Sequence, residues 1–234
     1  MESVEIDLKK EQQASRARPR YAYSMVARGF FVSMDLFTGR RTTLAKAKLV
    51  EILAPVPYRA WERRERGRVT RHRGAGGLGQ EAAAIMRWGK EAQDNEHWHL
   101  LVIDEKIRED SATEPWYLTA PIPSLMAGPY ALLAWAMART AIRRAFLLNG
   151  EFEDHAEHTY AQLVEDHPEW ENQPVRSTVV QGYGAFRSWA DVFRRVGLDE
   201  RDHMNNSFVF AGRPEHVVEY EGMPVAAGTD PPAA

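Results

Sequence analysis

The chain contains no cysteine, and this absence excludes several kinds of site at once. Its 234 residues cannot form a disulfide, a thiolate-bound zinc site or an iron–sulfur cluster. Any bound metal ion must therefore be held by imidazole and carboxylate groups. Carboxylate oxygens mixed with imidazole nitrogens suit iron or manganese better than a structural zinc ion.

The chain also lacks a long apolar run and an excess of charge of one sign. Its best apolar segment, Ser124–Met137, has 14 residues, whereas a helix that crosses a bilayer needs roughly 20. That length favours a core helix or an interfacial helix over a membrane span. The formal net charge is only -3, so no overall electrostatic attraction to nucleic acid is expected.

The two ends of the sequence are expected to lie outside the folded domain. Residues 1–20 are polar and are predicted to form a disordered tail, and residues 213–234, which finish in AAGTDPPAA, are predicted to form a flexible one. The N-terminal segment has no apolar core, so no secretory signal is expected, and its acidic residues fit a transit peptide poorly. Cytosolic synthesis and one folded domain over residues 21–212 are the resulting expectations.

Four main helices are predicted within that domain. The first begins near Thr42 or Thr43, which are suitable N-caps, and Pro55 and Pro57 are expected to kink or divide it. A glycine-rich stretch at 73–79 predicts a loop. The second helix is expected at about Gln80–Ile107 and the fourth at about Ser188–Phe208. The third is expected to follow the apolar segment from Leu125 to Leu148 and to end before Pro168.

Two tetrapeptides follow the pattern Glu-x-x-His, and each lies in a predicted helix. They are Glu96-His97-Trp98-His99 and Glu200-Arg201-Asp202-His203. At a spacing of three residues, the carboxylate and the imidazole project from the same face of a helix, one turn apart. In a four-helix bundle, two such pairs provide part of the ligand set of a di-iron or di-manganese site.

The rest of such a site is one glutamate from each of two further helices, and Glu51 and Glu153 occupy these places in chain order. A single tetrad fits a salt-bridged or solvated pair on a helix surface as well as it fits a metal site. Leu100–Ile103, directly after the first tetrad, is however strongly apolar and turns that helix towards a core. The sequence therefore predicts an all-α four-helix bundle with a di-iron or di-manganese carboxylate site.

Four short motifs surround these residues. Leu49–Tyr58 is similar to a segment with a Leu-Glu-Thr core followed by Val-Pro-Tyr, and Asn95–Leu101 is similar to Asn-Glu-x-x-His-Leu. Glu153–Tyr160 resembles Glu-Ser-His-Ala-Phe-Glu-Thr-Tyr, and Asp191–His203 resembles the motif that follows it. Over about residues 46–210, this ordered set resembles the alternative oxidase family, in particular its plastid terminal oxidase branch.

The resemblance implies an all-α, ferritin-like four-helix bundle with a di-iron carboxylate site and additional short interfacial helices. It also implies two iron ions as cofactors and a role for each residue that matches a motif. Tyr160 corresponds to the family's redox-active tyrosine, and it shares a helical face with Glu153 because seven residues make about two turns. Asn95 and Asp199 match polar residues beside the ligands, where such groups hold imidazoles and carboxylates in place. The implied iron ligands are Glu51, Glu96, His99, Glu153, Glu200 and His203.

The implied function is a cyanide-insensitive quinol oxidase, which couples oxidation of ubiquinol or plastoquinol to the reduction of dioxygen to water. Thr159 matches a position near the family's quinol pocket. Lys46 lies where the family commonly has an arginine facing the quinol head group. The ammonium of lysine is a point charge, whereas the guanidinium of arginine is planar and donates hydrogen bonds in a fixed geometry. The resemblance also implies a homodimer that associates monotopically with the membrane surface, here on its cytoplasmic side.

Several alternatives remain open at this point. The family's first helix continues apolar after Val-Pro-Tyr, whereas Arg59–Arg68 is strongly charged and fits a solvated helix face as well as an anionic head-group surface. Among enzymes, a di-iron hydroxylase or oxygenase acting on a quinone-like or soluble substrate shares the ligand pattern. A ferritin-like iron-binding protein and a metal-free bundle are the alternatives outside enzymes.

Overall fold

The computed structural model describes residues 6–71 and 76–225, and regular secondary structure in these two ranges is helical throughout. The prediction of an all-α chain is thereby confirmed, and three short 3-10 segments accompany the α-helices. The α-helices are α1 (Leu8–Ala17), α2 (Met25–Thr38), α3 (Leu44–Leu53), α4 (Pro55–Arg71), α5 (Gly76–Glu109), α6 (Ile122–Thr140), α7 (Ile142–Asp166), α8 (Thr178–Tyr183) and α9 (Trp189–Ala211).

Side-chain caps fix where α3 and α9 begin, two of the helices that carry predicted ligands. The hydroxyl of Thr43 accepts a hydrogen bond from the backbone N–H of Lys46, and the hydroxyl of Ser188 accepts one from that of Asp191. These bonds satisfy backbone donors that have no partner within the first turn of a helix. Both starts agree with those predicted from the sequence.

Proline divides the first predicted helix into two, as its sequence suggested. Pro55 has no N–H to donate, so the hydrogen-bond ladder is interrupted there. α3 ends at Leu53 and α4 begins at Pro55, while Ala54 between them keeps helical backbone angles. Glu51 therefore lies in the last turn of α3.

Glycines allow α7 and α9 to pack along one another at short distance. A Cβ atom on Gly150 of α7 would lie 2.9 Å from Cε1 of Phe208 in α9. A Cβ atom on Gly197 of α9 would lie 3.3 Å from Cβ of Tyr160 in α7. The close approach sets the separation of the two helices that carry three of the six predicted ligands.

Two apolar clusters pack against successive parts of α5. One cluster includes Ile85 and Trp88, and the other includes Val102 and Ile103. The segment Glu96–His99 lies between them in α5. The side chains of this first tetrad that face inward are therefore enclosed by apolar packing on both sides.

The N-terminal segment differs from the predicted disordered tail. Residues 8–17 form α1, which packs on α7 and α9. The guanidinium of Arg201 in α9 is buried and donates to Glu11 in α1 over 2.5 Å and to Glu157 in α7 over 2.9 Å. Polar composition misled the prediction here, because the polar side chains of α1 pair with charges buried between the two helices.

The C-terminal segment is also ordered further than predicted. After α9, the backbone N–H of Val218 donates to Asn205 over 2.8 Å, and the hydroxyl of Tyr220 donates to Asp202 over 2.8 Å. These contacts hold residues 217–220 against α9. The predicted flexible tail thus fails for the part up to residue 225, and residues 226–234 lie outside the described residues.

The predicted glycine-rich loop at 73–79 falls only partly within the described chain. Residues 72–75 lie outside it, and from Gly76 onwards the segment belongs to α5. The best apolar segment forms most of α6. In the two described ranges, no helix combines the length and the apolar character that a membrane span requires.

Candidate metal centre

Six carboxylate and imidazole side chains from four helices converge between the two apolar clusters. Their ligand atoms form two overlapping groups, each with atoms within 4.8 Å of one another. We call the first group the first metal position and the second group the second metal position. The first is Glu51, Glu96, His99 and Glu200, and the second is Glu96, Glu153, Glu200 and His203.

Glu96 and Glu200 belong to both positions, and each turns one oxygen towards each imidazole. Oε1 of Glu96 lies 2.9 Å from Nδ1 of His203, and Oε2 lies 3.5 Å from Nδ1 of His99. Oε1 of Glu200 lies 3.1 Å from Nδ1 of His99, and Oε2 lies 3.6 Å from Nδ1 of His203. The two glutamates are thus placed to bridge a pair of metal ions.

Several of these polar atoms are buried and make no hydrogen bond of suitable geometry among the described residues, although they lie close to one another. They are Oε2 of Glu51, both carboxylate oxygens of Glu96, and Nδ1 of His99 and of His203. A buried polar group that loses its partner costs about 1–3 kcal/mol. Cations at the two positions would satisfy these atoms together, so the residues present fit a pair of metal ions with oxygen and nitrogen ligands.

The two outer carboxylates hold their protons more tightly than glutamate usually does. Burial, followed by repulsion from Glu96, raises the pKa of Glu51 well above its ordinary value. Burial, followed by repulsion from Glu200, does the same to the pKa of Glu153. The pKa of Glu96 is lowered although burial opposes it, because His203 and His99 favour the charged form.

The two imidazoles bind a proton more tightly than histidine usually does. Burial alone would lower the pKa of His99 and of His203, but the surrounding charges raise both well above the ordinary value. Metal ligation needs a free lone pair on Nδ1, so these protons must leave when a cation binds. Binding of metal ions at this site would therefore release protons from the two imidazoles.

The outer nitrogen of His99 faces a polar group that fixes the ring. Nε2 of His99 lies 3.3 Å from Oδ2 of Asp199, which also accepts from Nδ2 of Asn95 over 3.1 Å. Asp199 accepts a further hydrogen bond from the hydroxyl of Tyr183, and its Oδ1 accepts from Nε of Arg195 over 2.8 Å. Asp199 thereby directs Nδ1 of His99 towards the first metal position.

Each outer carboxylate accepts a hydrogen bond from a buried tyrosine. Tyr160 donates to Oε1 of Glu51, and Tyr58 donates to Oε1 of Glu153 over 2.7 Å. Asn149 also donates to Oε1 of Glu153, over 2.8 Å. At Glu51 the other oxygen remains unpartnered within the described chain. The two phenols therefore restrain how the outer ligands can turn.

A cavity of about 280 Å³ reaches the site from the side of α2 and α3. Its inner wall includes Glu51, Glu153 and Tyr160, and its remaining lining is largely apolar. Rings from α2 and α7 supply much of that lining, among them Phe30, Phe31 and Phe152. A pocket of this size, mostly apolar with a few polar groups, is suited to a small aromatic ligand.

The two predicted substrate-binding residues both line this cavity. Thr159 precedes Tyr160 in α7 and is half-buried. The ammonium of Lys46 is engaged within the protein, because it pairs with Asp35 and donates to the backbone carbonyl of Gly39 over 3.0 Å. Lys46 therefore borders the cavity as part of an ion pair.

A further acidic and imidazole cluster lies nearby but is already satisfied. Asp154, Glu157 and His158 offer ligand atoms that lie close together. Arg18 donates to Oδ1 of Asp154 and to Oε2 of Glu157, in each case over 2.6 Å. Both ring nitrogens of His158 face backbone carbonyl oxygens. The cluster serves to anchor the segment after α1.

Four residues that contact the site were not among the sequence-based predictions: Tyr58, Asn149, Tyr183 and Arg195. Asn149 precedes Glu153 by four residues and Arg195 precedes Asp199 by four, so helical spacing could have indicated both. Tyr58 lies within the Val-Pro-Tyr motif.

Comparison with known proteins adds no assignment, since neither a protein-family model nor a curated protein matches the chain.

Proposed function

We propose that the protein is a quinol oxidase, which oxidises ubiquinol or plastoquinol and reduces dioxygen to water at a non-haem di-iron centre. One observation carries the proposal: the apolar cavity ends at Glu51, Glu153 and Tyr160, beside paired metal positions. The resemblance of the motifs to the alternative oxidase family, and the ferritin-like bundle that it implies, point in the same direction.

The metal pair would be held by the six converging side chains. Glu51 and His99 would bind one iron ion, Glu153 and His203 the other, and the two shared glutamates would bridge them. When bound, the iron ions supply the binding of dioxygen and the transfer of electrons to it. Four carboxylates and two neutral imidazoles would leave two ferrous ions nearly neutral in total charge.

The residues of the chain would orient the quinol and receive its protons. The aromatic rings of the cavity pack against the quinol ring, while Thr159 and the Lys46–Asp35 pair offer polar contacts to its oxygens. Tyr160 lines the cavity beside Glu51 and would be the residue that supplies or relays an electron when dioxygen is reduced.

His155 suits hydrogen-bond donation better than proton storage. Its Nδ1 lies 3.1 Å from Nη1 of Arg20, and a guanidinium can only donate, so the hydrogen of the neutral ring is on Nε2. Burial, followed by the charges of Arg20 and Lys46, lowers the pKa of His155 to about 4. The quinol protons are therefore expected to pass to carboxylates rather than to His155.

Association with a membrane surface, as a homodimer, is part of the proposal. Exposed apolar side chains concentrate on α2 and α6, and both helices also line the cavity. A quinol dissolved in lipid could then enter between them. The residues in question are Met25, Val26, Val32, Leu36 and Phe37 on α2, and Leu125, Leu132, Leu133 and Trp135 on α6.

Quinol-dependent oxygen uptake tests the proposal. Membranes that contain the protein should consume oxygen with added quinol in the presence of cyanide, and Glu200→Ala should abolish this. Purified protein should bind two iron ions per chain and yield only quinone and water. Oxygen inserted into an organic product would indicate a hydroxylase instead, and many iron ions per chain would indicate an iron store.

A further inference from the structure

Tyr58 contacts the second metal position in the same way that Tyr160 contacts the first. Each phenol donates a hydrogen bond to the outer carboxylate of its position, Glu153 for Tyr58 and Glu51 for Tyr160. The ring of Tyr58 is fully buried and lies edge-on to His203, with centroids 5.7 Å apart. The proposed function assigns a redox role to Tyr160 only.

Two tryptophans contact the far side of Tyr58. Its ring centroid lies 5.1 Å from that of Trp61 and 5.5 Å from that of Trp88, and the two indoles stack at 5.2 Å. Both indoles are buried, and neither Nε1 has a hydrogen-bond acceptor among the described residues. Indole and phenol are the aromatic side chains that lose one electron most readily.

The aromatic residues beyond Tyr160 form a different arrangement. Phe193, which is hard to oxidise, is the ring next to Tyr160, with centroids 6.3 Å apart, and it separates that phenol from Trp170 and Trp189. The ammonium of Lys106 lies 5.5 Å and 5.4 Å from the centroids of these two indoles. A nearby cation disfavours the removal of an electron from an indole.

We propose that Tyr58 and the Trp61–Trp88 pair form an internal electron donor to the metal centre, used when dioxygen binds while the cavity holds no quinol. The inference rests on the proposed function, because that function supplies the oxidant, dioxygen held at the metal pair. An electron delivered by this route spares the ligands themselves from oxidation.

The electron and proton changes balance within the contacts described. Tyr58 gives one electron towards the centre, and its phenolic proton crosses the 2.7 Å hydrogen bond to Oε1 of Glu153. One indole of the pair then returns an electron to Tyr58, and the proton moves back to the phenolic oxygen. The net change is one electron lost from the Trp61–Trp88 pair, which remains as a radical cation that keeps its Nε1 hydrogen.

Rapid-freeze electron paramagnetic resonance on the full chain tests this donor. Protein loaded anaerobically with ferrous iron is mixed with oxygen in the absence of quinol, using chains grown with ordinary or ring-deuterated tryptophan. The expected result is a transient organic radical whose signal narrows on tryptophan deuteration. Trp88→Phe should reduce the indole signal, Tyr58→Phe should abolish it, and the matched variant Trp170→Phe should retain it.

Peptide mass spectrometry provides a second readout on the same samples. After repeated exposure to oxygen without quinol, Trp61 and Trp88 should carry added oxygen atoms and Trp170 should not. In Trp88→Phe, oxidation should shift to the ligand His203 and its neighbours. Two iron ions bound and oxygen consumed, with no deuterium-sensitive radical or with Trp170 oxidised equally, would overturn the inference while leaving the proposed function intact.

The opposite failure is equally distinguishable. A chain that binds no iron, or that binds iron and consumes no oxygen, contradicts the proposed function and removes the oxidant on which the inference rests. Ring deuteration leaves the amino-acid sequence unchanged, so this part of the test does not depend on any variant folding correctly.

Discussion

Individual side chains contact the candidate ligands of the metal centre and restrain their orientation. Asp199 faces Nε2 of His99, and buried phenols donate to Glu51 and Glu153. Such partners determine which nitrogen carries the hydrogen and how the carboxylate turns. At the scale of one residue, their removal should weaken the site without unfolding the chain.

Asp199→Asn is expected to weaken metal binding at the first metal position. The variant loses the negative charge that His99, Arg195 and Tyr183 share, so the imidazole is no longer fixed with Nδ1 towards the site. Loss of such a partner typically lowers metal affinity about 10–100-fold. Anaerobic competition titration with ferrous or manganous ions and a chelator measures the change.

Asp104→Asn is the matched control, since Asp104 pairs with Lys48 at the surface. Its affinity for metal should equal that of the unchanged protein. Equal affinities for Asp199→Asn and Asp104→Asn would show that Asp199 does not position His99.

Tyr160→Phe is expected to lose quinol oxidation while it retains two iron ions. The phenyl ring fills the same buried space, but Glu51 loses its hydrogen-bond donor and the centre loses its phenol. A decrease in activity of about 10–100-fold or more is expected, by analogy with other groups that support metal ligands. Oxygen uptake and iron content, measured on the same preparation, separate a catalytic effect from loss of metal.

Tyr117→Phe removes a phenol that is buried in a different apolar cluster. It should leave oxygen uptake unchanged. If Tyr160→Phe and Tyr117→Phe behaved alike, Tyr160 would have no special role.

At the scale of elements, the sequence predicts best those helices whose apolar pattern and caps are local. α5 and α9 were predicted within a few residues of their ends, because apolar spacing lies within each segment and Ser188 caps α9. α1 has a local cap, since Asp7 accepts from the backbone N–H of Lys10, but its polar composition was interpreted as disorder. Its place in the fold depends on the pairing of Glu11 and Ser15 with Arg201 in α9. No local pattern carries information on a contact between residues that distant in the chain.

Gly150→Ala is expected to destabilise the contact between α7 and α9. The added Cβ would lie 2.9 Å from Cε1 of Phe208, whose buried ring is enclosed by Tyr21 and His216. Overpacking of this kind costs about 1–3 kcal/mol, which exceeds the gain of about 1 kcal/mol in helix propensity. Chemical denaturation should show a lower free energy of unfolding.

Gly29→Ala in α2 is the matched control for helix propensity, because this exposed glycine lies within a helix and has no proline beside it. A Cβ there meets no atom within 4 Å, so only the propensity gain of about 1 kcal/mol should remain. The variant should therefore be more stable than the unchanged protein. A stabilised Gly150→Ala would mean that α7 and α9 can separate without loss.

Arg201→Met is expected to detach α1 from the rest of the fold. Removal of the guanidinium leaves Glu11 and Glu157 without one of their charge partners in a buried place. Breaking a buried ion pair from one side typically costs about 3–5 kcal/mol. Hydrogen exchange should then show faster exchange of the α1 amides, together with lower overall stability.

Arg66→Met provides the comparison for charge removal at the surface. Arg66 pairs with Glu62 and is largely exposed, and exposed pairs contribute about 0–1 kcal/mol. Similar destabilisation in both variants would contradict the assignment of Arg201 as the attachment of α1.

At the scale of the whole molecule, the convergence of the six carboxylate and imidazole side chains could be predicted and its surroundings could not. The ligands of one helix are three residues apart, so periodicity shows that they share a face. The phenol of Tyr58 reaches Glu153 across 95 positions of chain, and the cavity depends on where α2 lies. Both follow from tertiary packing, which single-sequence patterns do not encode.

Charge balance across the whole site makes the metal-free protein sensitive to pH. The pKa values of Glu51 and Glu153 are raised above 4.5, and those of His99 and His203 above 6.5. At pH values between the ordinary pKa of each group and its raised pKa, the folded chain therefore binds more protons than the unfolded chain. The free energy of unfolding then falls as the pH rises through this interval.

The stabilisation that metal provides is accordingly expected to grow with pH. Cations replace the protons that the outer carboxylates and imidazoles release, so binding tightens as those protons become easier to remove. The difference in melting temperature between metal-loaded and metal-free protein should be larger at about pH 8 than at about pH 6. In the metal-free state, Glu153→Gln should show a weaker loss of stability between these pH values, because an amide takes up no proton. Metal-free stability that rises with pH over this interval would contradict the proton-holding site.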